Sequence, residues 1–327
     1  MDIQIYNTLP PAKHRQWQNF LSRMGLSWDE ETEQTVLIYS DDELIATGSR
    51  KKNLLKCIAV DPAWQGQDLT ATLLTQLRQA AFQDGHRRLF LYTKPVNGHL
   101  FTPLLFYPVA QTGQVLLMED RPEGIRNFLN TLPHPKTDGK IGAVVMNCDP
   151  FTCGHRHLVE TAAAECDWLY VFVLSEDGGW FSPQDRTEMV KRGTADLSNV
   201  TVLPTDAYLI SSATFPTYFL KNRDQATDIH CQLDIEIFTR YFAPYFGITH
   251  RYVGMEPFSP MTDSYNRQLS ITLPQRGIEV HQIPRLCHEG APISASAVRM
   301  LLDKGDWDNL RPLVPETTFS YLQEVAK

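Results

Sequence analysis

The stretch that most constrains this chain runs from Ile141 to Glu160, IGAVVMNCDPFTCGHRHLVE. Ile141 to Met146 is a short apolar run rich in β-branched residues, and it predicts a buried parallel strand. Leu158 to Ala164 predicts a helix, with Leu158, Val159 and Ala162 at helical spacing and no breaker. Asn147, Asp149, Pro150 and Gly154 make the compact turn between them. A strand that turns sharply into a helix aims unpaired backbone N–H groups and the positive end of the helix dipole at one point above the sheet. That point suits a phosphate before any side chain is considered. Gly154 lets backbone approach closely, and His155 is placed to donate to a phosphate oxygen from the first turn.

A metal reading of Cys153, His155 and His157 fails on spacing. On a helix His155 and His157 point about 200° apart, whereas ligand pairs favour i, i+4. No second Cys/His cluster stands nearby in the sequence, so no protein-held metal is expected. With 327 residues the chain is long for one core, which predicts two domains. A net charge of -8 and no local run of Lys or Arg argue against nucleic acid as a partner. No basic region precedes an apolar N-terminal stretch and no run reaches membrane-spanning length, so neither a secretory signal nor a membrane is expected. Six cysteines (57, 148, 153, 166, 231 and 287) without CxxC pairs suit reduced thiols and a cytoplasmic location.

The first 130 residues read as one α/β domain. Leu9 to Met24 predicts a helix, and Thr35 to Tyr39, Glu43 to Ser49 and Leu54 to Val60 predict strands, the first two a hairpin turning at Asp41-Asp42. Then come a helix from Leu69 to Phe82, a strand from Leu89 to Thr93, a short helix from Leu100 to Phe106 and a strand from Val115 to Glu119. Between the third strand and the long helix stands Gln65-Gly66-Gln67-Asp68. This order resembles the GCN5-type acetyltransferase fold, whose Q/R-x-x-G-x-G/A turn holds the diphosphate of acetyl-CoA. Asp68 stands where the second glycine is expected, and its carboxylate would oppose a diphosphate. Asp68 is instead expected to cap the helix, and the domain to serve a docking or structural role. Thr131 to Gly139, with two prolines and no apolar periodicity, reads as the linker to a second domain at 140–327.

The turn Thr152-Cys153-Gly154-His155 resembles the T/HxGH motif of the nucleotidyltransferase superfamily. Asn147, Pro150, Phe151 and the following Leu-Val-Glu resemble one branch, the citrate lyase ligases. The rest of the second domain is similar in order. Trp168 to Leu174, Val200 to Leu203, His250 to Val253 and Glu279 to Ile283 predict strands, with helices at Ser182 to Arg192 and Asp234 to Phe246. Arg186 either supports the nucleotide site or faces water. Gly254-Met255-Glu256-Pro257-Phe258 resembles the element that lies beside the nucleotide, and Ser211, Ser212 and Thr214 occupy a segment similar to one after the third strand in the ligases. Ile293-Ser294-Ala295-Ser296-Ala297-Val298-Arg299 resembles the ISSTxxR motif, with Ser294 at an N-cap and Arg299 on the same helix face as Ser296.

The resemblance implies an acetyltransferase-like α/β domain followed by a Rossmann-like parallel-sheet domain. It implies ATP contacts at Asn147, Pro150, Phe151, Thr152, Gly154, His155, Gly254, Glu256, Ser294, Ser296 and Arg299, with His155 and Arg299 stabilising charge at the α-phosphate. Ser211, Ser212 and Thr214 would meet acetate or a thiol arm, and Mg²⁺ would ride on the ATP phosphates. The implied reaction makes acetyl-adenylate and pyrophosphate, then acetylates the CoA-like prosthetic group on the acyl-carrier subunit of citrate lyase. Two other readings stay open: transfer of AMP to a phosphate-bearing acceptor, and a non-enzymatic interaction protein.

Overall fold

The computed structural model describes residues 1–28, 32–135, 138–209, 215–220, 226–256 and 260–325. Contacts divide the chain into two units, Met1–Gly124 with Phe215–Ile229, and Ile125–Thr214 with His230–Lys327.

The first unit is built on a sheet of seven strands: β1 (Asp2–Tyr6), β2 (Gln34–Ser40), β3 (Glu43–Lys51), β4 (Leu54–Val60), β5 (Phe90–Thr93), β6 (Tyr107–Gln111) and β7 (Leu116–Glu119). Their order is β1-β2-β3-β4-β5-β7-β6, antiparallel except for β4 beside β5. The expected hairpin is β2–β3, turning where Asp41 and Asp42 take φ of 48° and 66°, as tight hairpin turns require. The Leu69–Gln83 helix buries Leu69, Leu73, Leu74 and Leu77, each stabilising by about 1.5–3 kcal/mol. The sheet supplies the side chains they pack with: Val36, Ile38, Ile45 and Leu55 belong to the same core.

Two strands lie outside the expected set. In β1 the apolar Ile3 and Ile5 face outward, 40% and 47% exposed, so the alternation does not mark a buried face. β6 contains Pro108, which a sheet tolerates at its edge, and β6 is the edge strand. The helix expected over Leu100–Phe106 is shorter, Gly98–Phe101 followed by a 3₁₀ turn at Thr102–Leu104.

The second unit holds five parallel strands: β8 (Ile141–Met146), β9 (Trp168–Val173), β10 (Val200–Pro204), β11 (His250–Gly254) and β12 (Glu279–Ile283). The order is β10-β9-β8-β11-β12, so the chain first builds outward on one side of β8 and then on the other. Open α/β sheets bind ligands at such a reversal, beyond the carboxyl ends of the strands. Here β8 and β11 pair only at Gly142↔His250 and Ala143↔Arg251, so they part toward those ends. The central strand is apolar throughout because both its faces are buried: Val144 and Met146 share a core with Val159, Ala162 and Val190, and Ile141 and Ala143 are buried outside that core.

The helix after β8 begins at Cys153, five residues before the apolar periodicity starts. The helix expected from Asp234 starts at Ala226 and continues through a π-helical turn at Phe238–Phe242 into Ala243–Phe246. A helix over Pro260–Thr272 is additional to the expected elements. Among the described residues no helix is long and apolar enough to cross a membrane.

Candidate active site

The Cys153–Glu165 helix starts on a reciprocal cap. The Thr152 hydroxyl accepts the His155 backbone N–H at 3.3 Å, and the Thr152 backbone N–H donates to His155 Nδ1 at 3.0 Å. An Nδ1 that accepts leaves the neutral ring's proton on Nε2. Burial, helped by the positive charge of Arg285, lowers the imidazole pKa to about 4. His155 is therefore a neutral donor at pH 7. Phe151 stacks on its ring, 6.0 Å between centroids and 12° from parallel. Phe151 itself is fully buried, so it supports His155 from within the core.

The turn before the helix is tied down from three sides. The Asp149 carboxylate accepts the backbone N–H groups of Trp180 at 3.0 Å and Phe181 at 2.9 Å. Arg186 does not face water: it is 1% exposed and donates to the Asn147 carbonyl and side-chain oxygen and to the Glu176 carbonyl. Arg299 donates to the Asp149 carbonyl, lies 3.6 Å from its carboxylate and reaches the Ser296 hydroxyl at 3.1 Å.

The second helix start, on Ala295–Lys304, adjoins the first. Ser294 caps it by accepting the Ala297 N–H at 3.2 Å. A Cβ on Gly154 would come within 3.3 Å of the Ile293 carbonyl, so the glycine lets the two starts approach.

Beyond β8, β11 and β12 lies a cavity of about 180 Å³. Of the expected contacts it gathers Thr152, Gly154, His155, Gly254 and Glu256. Asn147, Pro150, Phe151, Ser294, Ser296 and Arg299 do not line it, and Ser211, Ser212 and Thr214, like Pro257 and Phe258, lie outside the described residues. His157 also lines the cavity, despite its angular distance from His155 along the helix. The residue that sequence reasoning misses is Arg285. Its guanidinium grips both Glu256 carboxylate oxygens at 2.8 and 2.9 Å and donates to the Ile293 carbonyl at 3.3 Å. Its only signal is an arginine two residues past a strand end, matching Glu256 two residues past the neighbouring one.

The first unit has a cleft of about 490 Å³ where β4 and β5 diverge after pairing only at Leu54↔Phe90 and Leu55↔Leu91. Gln65, Gly66, Asp68, Tyr92 and Tyr218 are among its walls. Asp68 does occupy the N-cap position, but it takes a left-handed conformation (φ 56°) and its side chain makes no cap bond. Its carbonyl alone closes the first turn, accepting from Thr72. Tyr218 donates its hydroxyl to the Tyr92 carbonyl at 2.8 Å, and its own carbonyl accepts the Ser27 N–H at 2.8 Å.

Comparison with known proteins agrees with this architecture. The family model of the citrate lyase ligase C-terminal domain matches residues 141–322, and that of the acetyltransferase (GNAT) family matches residues 3–100. Citrate (pro-3S)-lyase ligase of Klebsiella pneumoniae is 42% identical over 94% of this chain and 92% of its own length. The same-named protein of Escherichia coli K12 is 39% identical over 94% of this chain and 90% of its own. Among solved structures, Thermotoga maritima TmcAL bound with alpha-thio ATP aligns at TM-score 0.36 and 17% identity, over 57% of this chain and 55% of that one.

Proposed function

Because the chain belongs to the citrate lyase ligase family, an enzyme family, we propose that it activates acetate with ATP and acetylates the thiol of the acyl-carrier subunit of citrate lyase. The observation that carries this reading is the neutral His155, its Nε2–H without a hydrogen-bond acceptor among the described residues, at a helix start beside a second, hydroxyl-lined one. Both helix starts favour negative charge, and a donor already held in place costs nothing to reorganise when charge develops on the α-phosphate.

An acetate oxygen attacks the α-phosphorus, and the bond to pyrophosphate breaks. The acetate is already ionised at pH 7, so this step needs no general base. His155 and Arg299 stabilise the charge on the phosphoryl oxygens; positioning and electrostatics do the rest. The carrier's thiol sulfur then attacks the acetyl carbon, its proton leaves, and AMP departs. Mg²⁺ would supply further charge neutralisation from the ATP phosphates. The Asp149 carboxylate is held by two N–H groups and Arg299, and Glu256 by Arg285, so both are engaged and a Mg²⁺ arriving with ATP would draw its ligands mostly from water and phosphate.

The test is acetylation of the deacetylated carrier by the full chain with ATP, Mg²⁺ and acetate, read by intact mass. His155→Ala and Arg299→Ala are each expected to slow it by roughly 10² or more while folding normally. Near wild-type rates in either soluble variant would remove that residue from the chemistry. No acetylation by the wild-type chain would overturn the reading.

A further inference from the structure

We propose that the second unit carries a divalent transition-metal site, suited to Zn²⁺, formed by His250, Glu279 and His281 at the amino-terminal ends of β11 and β12. The parallel register sets His250 beside Glu279 and Tyr252 beside His281, so all three ligands project from one face of two adjacent strands. Their donor atoms lie within 4.8 Å of one another. Glu279 Oε2 is 3.5 Å from His250 Nε2 and 3.7 Å from His281 Nε2. Ligands around a tetrahedral Zn²⁺ stand about 3.3 Å apart, so each carboxylate–imidazole separation closes by a few tenths of an ångström and the two imidazoles, within 4.8 Å of each other, by at most about 1.5 Å.

The contacts around the cluster let both imidazoles turn a lone pair inward. The Thr249 hydroxyl lies 3.3 Å from the Ile141 carbonyl and 2.7 Å from His250 Nδ1, so with its proton on that carbonyl it accepts from Nδ1. The neutral His250 ring then has a bare Nε2 facing a carboxylate oxygen. His281 Nδ1 stands 4.0 Å from the Glu165 carboxylate, and His281 Nε2 is buried with no hydrogen-bond partner among the described residues. His250 thus has an outer oxygen orienting its far nitrogen, as metal-ligating imidazoles do. Three inward lone pairs repel one another unless a cation lies between them. Two imidazoles and one carboxylate form a borderline donor set that selects Zn²⁺ over Mg²⁺ or Ca²⁺ and leaves the fourth position to water.

The site is separate from the nucleotide crevice. His250↔Glu279 is the first pair of the β11–β12 ladder and Gly254↔Ile283 the last, four residues or about 13 Å away. A metal here clamps the two strands at the end opposite the chemistry.

The experiment is calorimetric titration of ZnCl₂ into the full chain after chelator treatment and dialysis, with a thermal melt of the same samples. One Zn²⁺ per chain at micromolar affinity or tighter is expected, with a melting point that rises on addition. Glu279→Gln and His281→Gln should each weaken binding at least tenfold and abolish the rise. Glu279 is largely exposed, so its variant keeps the fold even where His281→Gln does not. No stoichiometric binding, or unchanged affinity in the Glu279 variant, would overturn the site.

Discussion

At the residue scale the account rests on His155. A folded pKa near 4 lies below the free-imidazole value of about 6.5, so between those values the unfolded chain binds a proton that the folded chain refuses. The contribution of His155 to stability is therefore fully present above about pH 6.5 and is lost as pH falls through the folded value. A ¹⁵N-resolved histidine titration should show the Nε2–H tautomer and a midpoint near pH 4; a midpoint near 6.5 would mean that the ring is not buried beside Arg285. Much of this residue is legible in the sequence. Thr152 and His155 stand three apart, the spacing of a capping box with His in place of Glu, although only the fold reveals which nitrogen accepts. Arg285 is not legible, because its partner Glu256 is 29 residues away and the two meet only through the pairing of β11 with β12. The same holds for His250, Glu279 and His281: a search for i, i+4 helix ligands passes over a cluster made by strand register.

At the element scale, the helix that follows β8 is positioned from beneath by a ring on a glycine. A Cβ at Gly193 would lie 2.5 and 2.8 Å from two Phe151 ring carbons, and Phe151 stacks on His155. Gly193→Ala should therefore destabilise by about 1–3 kcal/mol and slow carrier acetylation, though residue 193 touches no substrate. Wild-type melting and rate in this variant would show that the Phe151 contact is slack. The strands β8 and β9 of the parallel sheet are legible because both faces are buried and their apolar runs are continuous. The helix start is not, because residues 153–157 carry no apolar period and the cap, not the stripe, begins the helix. In the first unit the edge strands β1 and β6 escape for a related reason: neither buries an alternating face in the ordinary way.

At the scale of the whole molecule, the sequence shows two α/β bodies but not that Phe215–Ile229 belongs with the first. That segment follows β10 in the chain, and nothing in its composition marks the return. Tyr218 within it engages the Tyr92 carbonyl inside the cleft of the first unit, while Asp68 adds a negative charge at the helix start there. Both features work against a diphosphate-bearing thioester, so calorimetry on the full chain should find no acetyl-CoA binding at micromolar concentrations. Micromolar affinity would return an acyltransfer role to the first unit. The central claim, acetate activation at the crevice of the parallel sheet, is tested most directly by exchange of labelled pyrophosphate into ATP, without any carrier. Exchange that requires acetate and falls by roughly 10² or more in His155→Ala is expected. Absence of acetate-dependent exchange, or full exchange in His155→Ala, would contradict it.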